Sequence, residues 1–336
     1  MRLVNRFSVL AVACMLPLAA CGGSDGDDGG TDCSTVERTT YTYVVDTAQL
    51  PANPAQATEL ALDLDGADPI RNDNTLGMVL ATLASQAGLD VTTAVGDAIN
   101  NGDVILLASL ETDDLVNSAC ARMGVYLGAN PSTEPCADPN DMVCGNHLDG
   151  ATSFELSGSS PTDTKIDAQI LGGQYSLGPN HSPGNFTIEI DIAELGTPLS
   201  LNLVGARVQV GSVSADGLMS GLIGGAITED DLQTSILPAI AGVVDDAVAA
   251  DCTPGNDPCC TPGSAGATII DLFDTDASCT ITLEEIQTND LIAALLAPDV
   301  DLLDDTGAFN PGVDGVNESL SIGLGFTAVG GDFTVP

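Results

Sequence analysis

Basic residues are nearly missing from this chain. Its 336 residues hold 7 lysines and arginines against 48 acids, a formal net charge of −41. A surface of that sign repels phosphate backbones and anionic headgroups, which excludes nucleic acid as a partner. There is no tryptophan and aromatics make up 3% of the residues, so stacking platforms for sugars or bases are scarce. Histidine occurs only at His147 and His181, each without partner spacing, and both read as surface-loop residues. HExxH pairs, GxSxG elbows and P-loops are absent, so no catalytic residue is nominated. Paired carboxylates of the glycosidase kind stay open, yet among 48 acids no pair stands out.

What the chain does have is apolar material. Hydrophobic residues make up 44% and the mean hydropathy is positive, enough for a core despite the charge. With so few cations, dozens of carboxylates must be solvated, spread apart or neutralised from the medium, and calcium suits the last role.

The first six residues carry Arg2 and Arg6 and no acid, and Phe7 to Leu18 is an apolar stretch too short to span a bilayer. It ends in Leu18-Ala19-Ala20-Cys21, which resembles the lipobox of bacterial lipoproteins. The resemblance implies a signal peptide over 1–20, lipidation of Cys21 and a membrane partner reached through that anchor. A plain thiol after an ordinary signal is the alternative. Residues 21–34 hold a Gly- and Asp-rich run and read as a flexible tether. Gly22, standing where aspartate would signal inner-membrane retention, implies an outer-membrane lipoprotein facing the periplasm or the cell surface. Cleavage moves the charge to −43 and leaves Arg38, Arg71, Arg122, Lys165 and Arg207 as the cations.

Ten cysteines become eight once Cys14 departs and Cys21 is acylated. An even count in an oxidising compartment reads as four disulfides, with zinc as the alternative. Spacing suggests Cys136 with Cys144, and Cys252, Cys259, Cys260 and Cys279 pairing among themselves, which leaves Cys33 for Cys120. A bond between the adjacent Cys259 and Cys260 would be strained, so two separate bridges are expected there.

Hydrophobic periodicity predicts a strand over Tyr41–Val45, a helix through Leu76, Val79, Leu80, Leu83, Ala84 and Ala87, and a second through Val91, Ala94, Val95, Ala98 and Ile99. Val104–Leu110 reads as a buried strand. Alternation at Ile166/Ala168/Ile170, Phe186/Ile188/Ile190/Ile192, Leu199/Leu201/Leu203, Val208/Val210 and Ile322/Leu324/Phe326 argues for antiparallel sheet. A core-packing helix opens at a capping-box-like Thr228-Glu229-Asp230-Asp231, carries an apolar stripe from Leu232 to Ala247 and bends near Pro238. The fold class is therefore α+β, mainly antiparallel sheet as a sandwich or curved sheet with a few packed helices, stapled by disulfides. An N-terminal α+β region over 35–160 precedes a β-rich region over 161–336, or the two form one continuous domain.

Residues 274–285, DTDASCTITLEE, resemble the calcium loop of an EF-hand. The resemblance puts Asp274, Asp276 and Ser278 at loop positions 1, 3 and 5, Thr280 at the carbonyl position 7, Thr282 at 9 and Glu285 at the bidentate position 12. Cys279 stands where glycine would make the sharp turn, so it must take a costly backbone conformation or be fixed by a disulfide. Gly263 and Gly266 leave the incoming helix little room. A second acidic run, Asp63, Asp65 and Asp68 with Asp73 further on, resembles the aspartate-rich calcium turns of extracellular modules; a solvated turn is its alternative.

As a whole the chain is similar to uncharacterised, cysteine-containing outer-membrane lipoproteins of diderm bacteria, a likeness that carries no mechanism. The sequence is read as a non-catalytic, calcium-stabilised envelope module that binds a protein, a glycan or an apolar ligand, or is structural. A carboxylate-dependent hydrolase and a periplasmic carrier of an apolar ligand are the rival classes.

Overall fold

The computed structural model describes residues 33–66, 73–87, 91–138, 144–162, 165–177, 184–190 and 199–336 except 305 and 308. The segment 1–20 expected as a signal peptide, Cys21, Asp68 and His181 lie outside these residues. Asp32–Pro336 forms one compact unit, so the regions on either side of residue 160 share a single core.

Its strands are β1 (Thr39–Gln49), β2 (Leu106–Thr112), β3 (Asn117–Ala129), β4 (Glu155–Leu156), β5 (Lys165–Leu171), β6 (Gln174–Ser176), β7 (Gly184–Ile190), β8 (Leu199–Val213), β9 (Gly217–Thr228) and β10 (Ser319–Gly330). The sheet is antiparallel, and eight of the strands close into a barrel. Passing round it, β1, β2, β3, β5, β6, β8, β9 and β10 follow one another in chain order, and Tyr43 opposite Gly330 completes the ring. β4 pairs with β3, and β7 lies against β8. This is an up-and-down barrel and not a sandwich. Alternation in the sequence reports which face of a strand is buried, but it carries no information on whether the first strand meets the last. Closure leaves the barrel without free edges.

One face of every barrel strand feeds a single apolar cluster. Tyr43, Leu110, Met123, Ile166, Tyr175, Val208, Ile223 and Ile322 all belong to it. Only the lumen is common to eight strands, so the barrel interior is filled core. Tyr175 donates to the Ile166 carbonyl at 2.7 Å and Tyr43 to the Ser214 carbonyl at 2.7 Å, which satisfies both buried hydroxyls. The opposite face is covered locally: Val44, Leu107 and Tyr126 lie with Phe154 under the C-terminal tail, and Ala226 lies with Leu62, Leu64, Val300 and Leu302.

Every long insertion leaves the same end of the barrel. There stand α1 (Pro54–Glu59), α2 (Thr75–Ala87), α3 (Val91–Asn101), α4 (Glu229–Asp231), α5 (Leu237–Asp251), α6 (Ala265–Phe273), α7 (Leu283–Thr288) and α8 (Asp290–Leu295). The opposite end has only the short connections β2–β3, β5–β6 and β8–β9. α4 and α5 are one helix joined by a π-turn over Leu232–Ile236, which widens the helix just before Pro238, where an amide donor is lost. By length and composition Glu229–Asp251 could cross a membrane; its Leu232, Ile236, Val244 and Val248 side chains instead pack in the core.

Four disulfides join Cys33–Cys120, Cys136–Cys144, Cys252–Cys260 and Cys259–Cys279. The first spans 87 residues and the second 8. In the loop-entropy picture they contribute about 4.6 and about 2.6 kcal/mol, so the N-terminal staple is the stronger constraint.

Candidate metal centre

Two helix caps build the loop at 274–285. Ser264 opens α6 by accepting from the Ala267 amide at 3.1 Å, and Thr282 opens α7 in a reciprocal box with Glu285. The incoming helix has its nine residues because Gly266 sits inside it. A Cβ at Gly266 would lie 2.8 Å from Asp251 Cβ and 2.9 Å from Cys252 Sγ, so the glycine reflects close packing against the end of α5 and not a break.

Between the helices, carboxylate oxygens of Asp274, Asp276 and Glu285 lie within 4.8 Å of one another. Asp274 accepts from the amides of Ser278 at 3.1 Å and Cys279 at 2.8 Å, and Asp276 accepts from Ser278 at 2.9 Å. The Ser278 hydroxyl donates to the Thr280 carbonyl at 3.2 Å. This winding sets Cys279 at φ 63°, in the left-handed region, which costs a residue with a Cβ about 1–2 kcal/mol. The bond to Cys259 holds the turn there.

Glu285 is 7% exposed. Its Oε1 accepts from the Thr275 amide and hydroxyl at 2.8 and 3.2 Å, and its Oε2 from the Thr282 amide and hydroxyl at 3.0 and 2.9 Å. Burial pushes its pKa up, but the hydrogen bonds from Thr282 and Thr275 outweigh burial and hold the carboxyl below the usual glutamate value. Three carboxylates whose oxygens lie within 4.8 Å of one another are hard donors of the kind calcium takes. Thr282 serves as the cap, its hydroxyl committed to Glu285.

The N-terminal cluster is built differently. Leu62 and Asp73 form an antiparallel bridge, Leu64 donates to Asp73 Oδ2 at 2.7 Å, and Gly66 at φ 70° donates to Asp63 Oδ1 at 2.8 Å. Carboxylates of Asp63, Asp65 and Asp73 come within 4.8 Å of one another. Burial first, then the charges of Asp65, Asp299 and Asp63, push Asp73 up to about 6 against the Leu64 hydrogen bond. A cation already stands beside them. Arg207 of β8 donates from Nη2 to the Leu64 carbonyl at 2.8 Å, while its buried Nε has no hydrogen-bond partner. Burial lowers the Arg207 pKa, and Asp63, Asp73 and Asp65 act to raise it. Its charge offsets part of what a metal would neutralise.

Two other residues escaped sequence reasoning. Asp245 of α5 accepts the Ile281 amide at 3.1 Å and so ties the calcium-like loop to the long helix. Arg207 is one of only 7 lysines and arginines in the chain, so its scarcity marks it; Asp245 gives no local signal. His147 is a correction. It is fully buried in the turn Asn146–Leu148, edge-on to Phe154 at 6.3 Å, with neither ring nitrogen hydrogen-bonded. Beside Phe154, seven positions on, its surroundings include Gly102, 45 positions back in the chain, which is why its own loop reads as surface.

A groove of about 270 Å³ is lined by Leu232, Leu237, Ile292, Leu296 and Leu320 and by Glu229 and Glu318. The architecture is thus a filled, closed barrel with a helical cap that carries two carboxylate clusters. Comparison with protein-family models, curated proteins and solved structures found no match.

Proposed function

We propose that this chain is a non-catalytic envelope lipoprotein, anchored through Cys21, whose helical cap binds calcium and acts as a binding or structural module. The observation that carries the reading is the convergence of Asp274, Asp276 and Glu285 at the turn of a helix–loop–helix. Glu285, held ionised, would take the closing position, with Asp274 and Asp276 on the loop side. Calcium supplies two positive charges to a chain that has few, so binding relieves repulsion as it orders the cap.

The test is thermal melting of the mature protein in calcium and in chelator. At a hundredfold excess over the dissociation constant, one site adds about 2.7 kcal/mol. Glu285→Gln should remove most of that gain and magnesium should replace calcium poorly. Equal melts of the wild type in calcium and chelator would refute the calcium reading. Mass spectrometry of the N-terminal peptide tests the anchor separately.

One observation favours a second reading. Close carboxyls with one raised pKa, as at Asp63, Asp65 and Asp73, are also what a carboxylate-dependent hydrolase needs. A cation filling that cluster would pull Asp73 back down; a catalytic acid would keep its raised value in calcium.

A further inference from the structure

We infer that the short-turn end of the barrel rests on a lipid surface of neutral headgroups, the same membrane that holds Cys21; the inference builds on the anchor proposed above. Three large apolar side chains stand exposed at this end: Val116 at 55%, Leu171 at 55% and Met219 at 57%. They come from three different connections that are knitted together. The Gly173 amide donates to the Val116 carbonyl at 2.8 Å, and Val213 donates to the Gly173 carbonyl at 2.9 Å. Leu171 lies beside Asn117 in the β3–β5 register, and Met219 opposite Ser212 in the β8–β9 register. Val313 at 52% and Val316 at 59% are as exposed at the cap end, so apolar exposure alone does not single out this end.

The chain path says what covers it. Cys33 is bonded to Cys120, four positions from Val116 on β3, so the N-terminal segment leaves the barrel at this end. Only twelve peptide steps separate Cys21 from Cys33. Fully extended they reach at most about 43 Å, and the nine steps from Cys120 to the far end of β3 take about 30 Å of that. The cap, at least one helix thick at about 10 Å, lies beyond that end, so only a nearly extended connection would let it face the lipid. The end that carries Val116, Leu171 and Met219 is the one a lipid anchor draws down.

Charge selects the lipid. Asp113, Asp114 and Asp216 occupy the same turns, so an anionic headgroup is repelled while a zwitterionic one is tolerated. The calcium-like loop is then presented away from the bilayer.

The chain has no tryptophan, so one substitution gives a single reporter. Leu171→Trp and, independently, Met219→Trp are placed in the acylated mature protein and reconstituted in phosphatidylcholine vesicles. Val313→Trp, on the exposed loop at the cap end, is the control. Emission at shorter wavelength, and quenching by brominated phosphatidylcholine several-fold stronger at Leu171→Trp and Met219→Trp than at Val313→Trp, is the expected result. If all three are quenched alike while the protein floats with the vesicles and Cys21 carries acyl mass, the docking surface is wrong and the anchor stands. If Cys21 carries no acyl mass, the anchor fails and the inference falls with it.

Discussion

Cys259 is bonded to Cys279 across 20 residues, and Cys279 holds a backbone angle of φ 63° at the position of the calcium-like loop where glycine would be expected. The disulfide thus stands in for glycine: it fixes from outside a conformation that the residue itself resists.

Cutting this bond should loosen the loop in a way glycine partly repairs. Cys259→Ser with Cys279→Ala should lower stability by about 3 kcal/mol from lost cross-linking and weaken calcium binding. Cys259→Ser with Cys279→Gly should recover about 1 kcal/mol of that, since glycine adopts positive φ without a Cβ clash. Denaturant midpoints with and without calcium measure both, and equal behaviour of the two variants would show that φ at 279 is not strained.

His147 should make the protein sensitive to mild acid. Burial lowers its pKa below the ordinary 6.5. As pH falls below 6.5 the unfolded chain takes up a proton that the folded chain refuses, so stability present above that pH is lost below it. His147→Phe should flatten this component, read as the difference between wild-type and variant denaturant midpoints at pH 7 and pH 5.

Asp73 should act in the opposite sense. Its carboxyl, at about 6 in the fold against 3.8 ordinarily, is penalised when ionised. The penalty is complete above pH 6 and lifts as pH falls through that value. In chelator at pH 7, Asp73→Asn should therefore be more stable than wild type by about 1 kcal/mol, after allowance for partial exposure. In calcium the same variant should lose whatever stabilisation the N-terminal cluster gives. With Arg207 already beside it, that gain should be smaller than the one lost in Glu285→Gln.

Two glycines should respond oppositely to alanine. A Cβ at Gly323 of β10 would fall 2.2 Å from the Leu60 carbonyl oxygen, a backbone atom. Gly323→Ala should cost about 2–3 kcal/mol as an overpacking change. Gly242 in α5 has nothing within 4 Å, so Gly242→Ala should gain up to about 1 kcal/mol from helix propensity. Thermal melts of both decide it.

Local chemistry was legible from the sequence. Alternation located β5, β8 and β10, a capping pattern located the start of the long helix, and oxygen spacing located Asp274, Asp276 and Glu285, because each of these signals is carried by residues a few positions apart. Cysteine spacing, likewise local, suggested Cys136 with Cys144.

Only the tertiary structure decided that the sheet closes, that His147 is buried, that Arg207 sits among Asp63, Asp65 and Asp73, and that Asp245 braces the Ile281 amide. Each of these joins residues from distant parts of the chain, such as Tyr43 with Gly330. A residue's neighbours in sequence fix its turn, its cap and the face it shows; what that face meets depends on chain closure over hundreds of residues, and the surroundings that set burial and charge exist only once the barrel has formed.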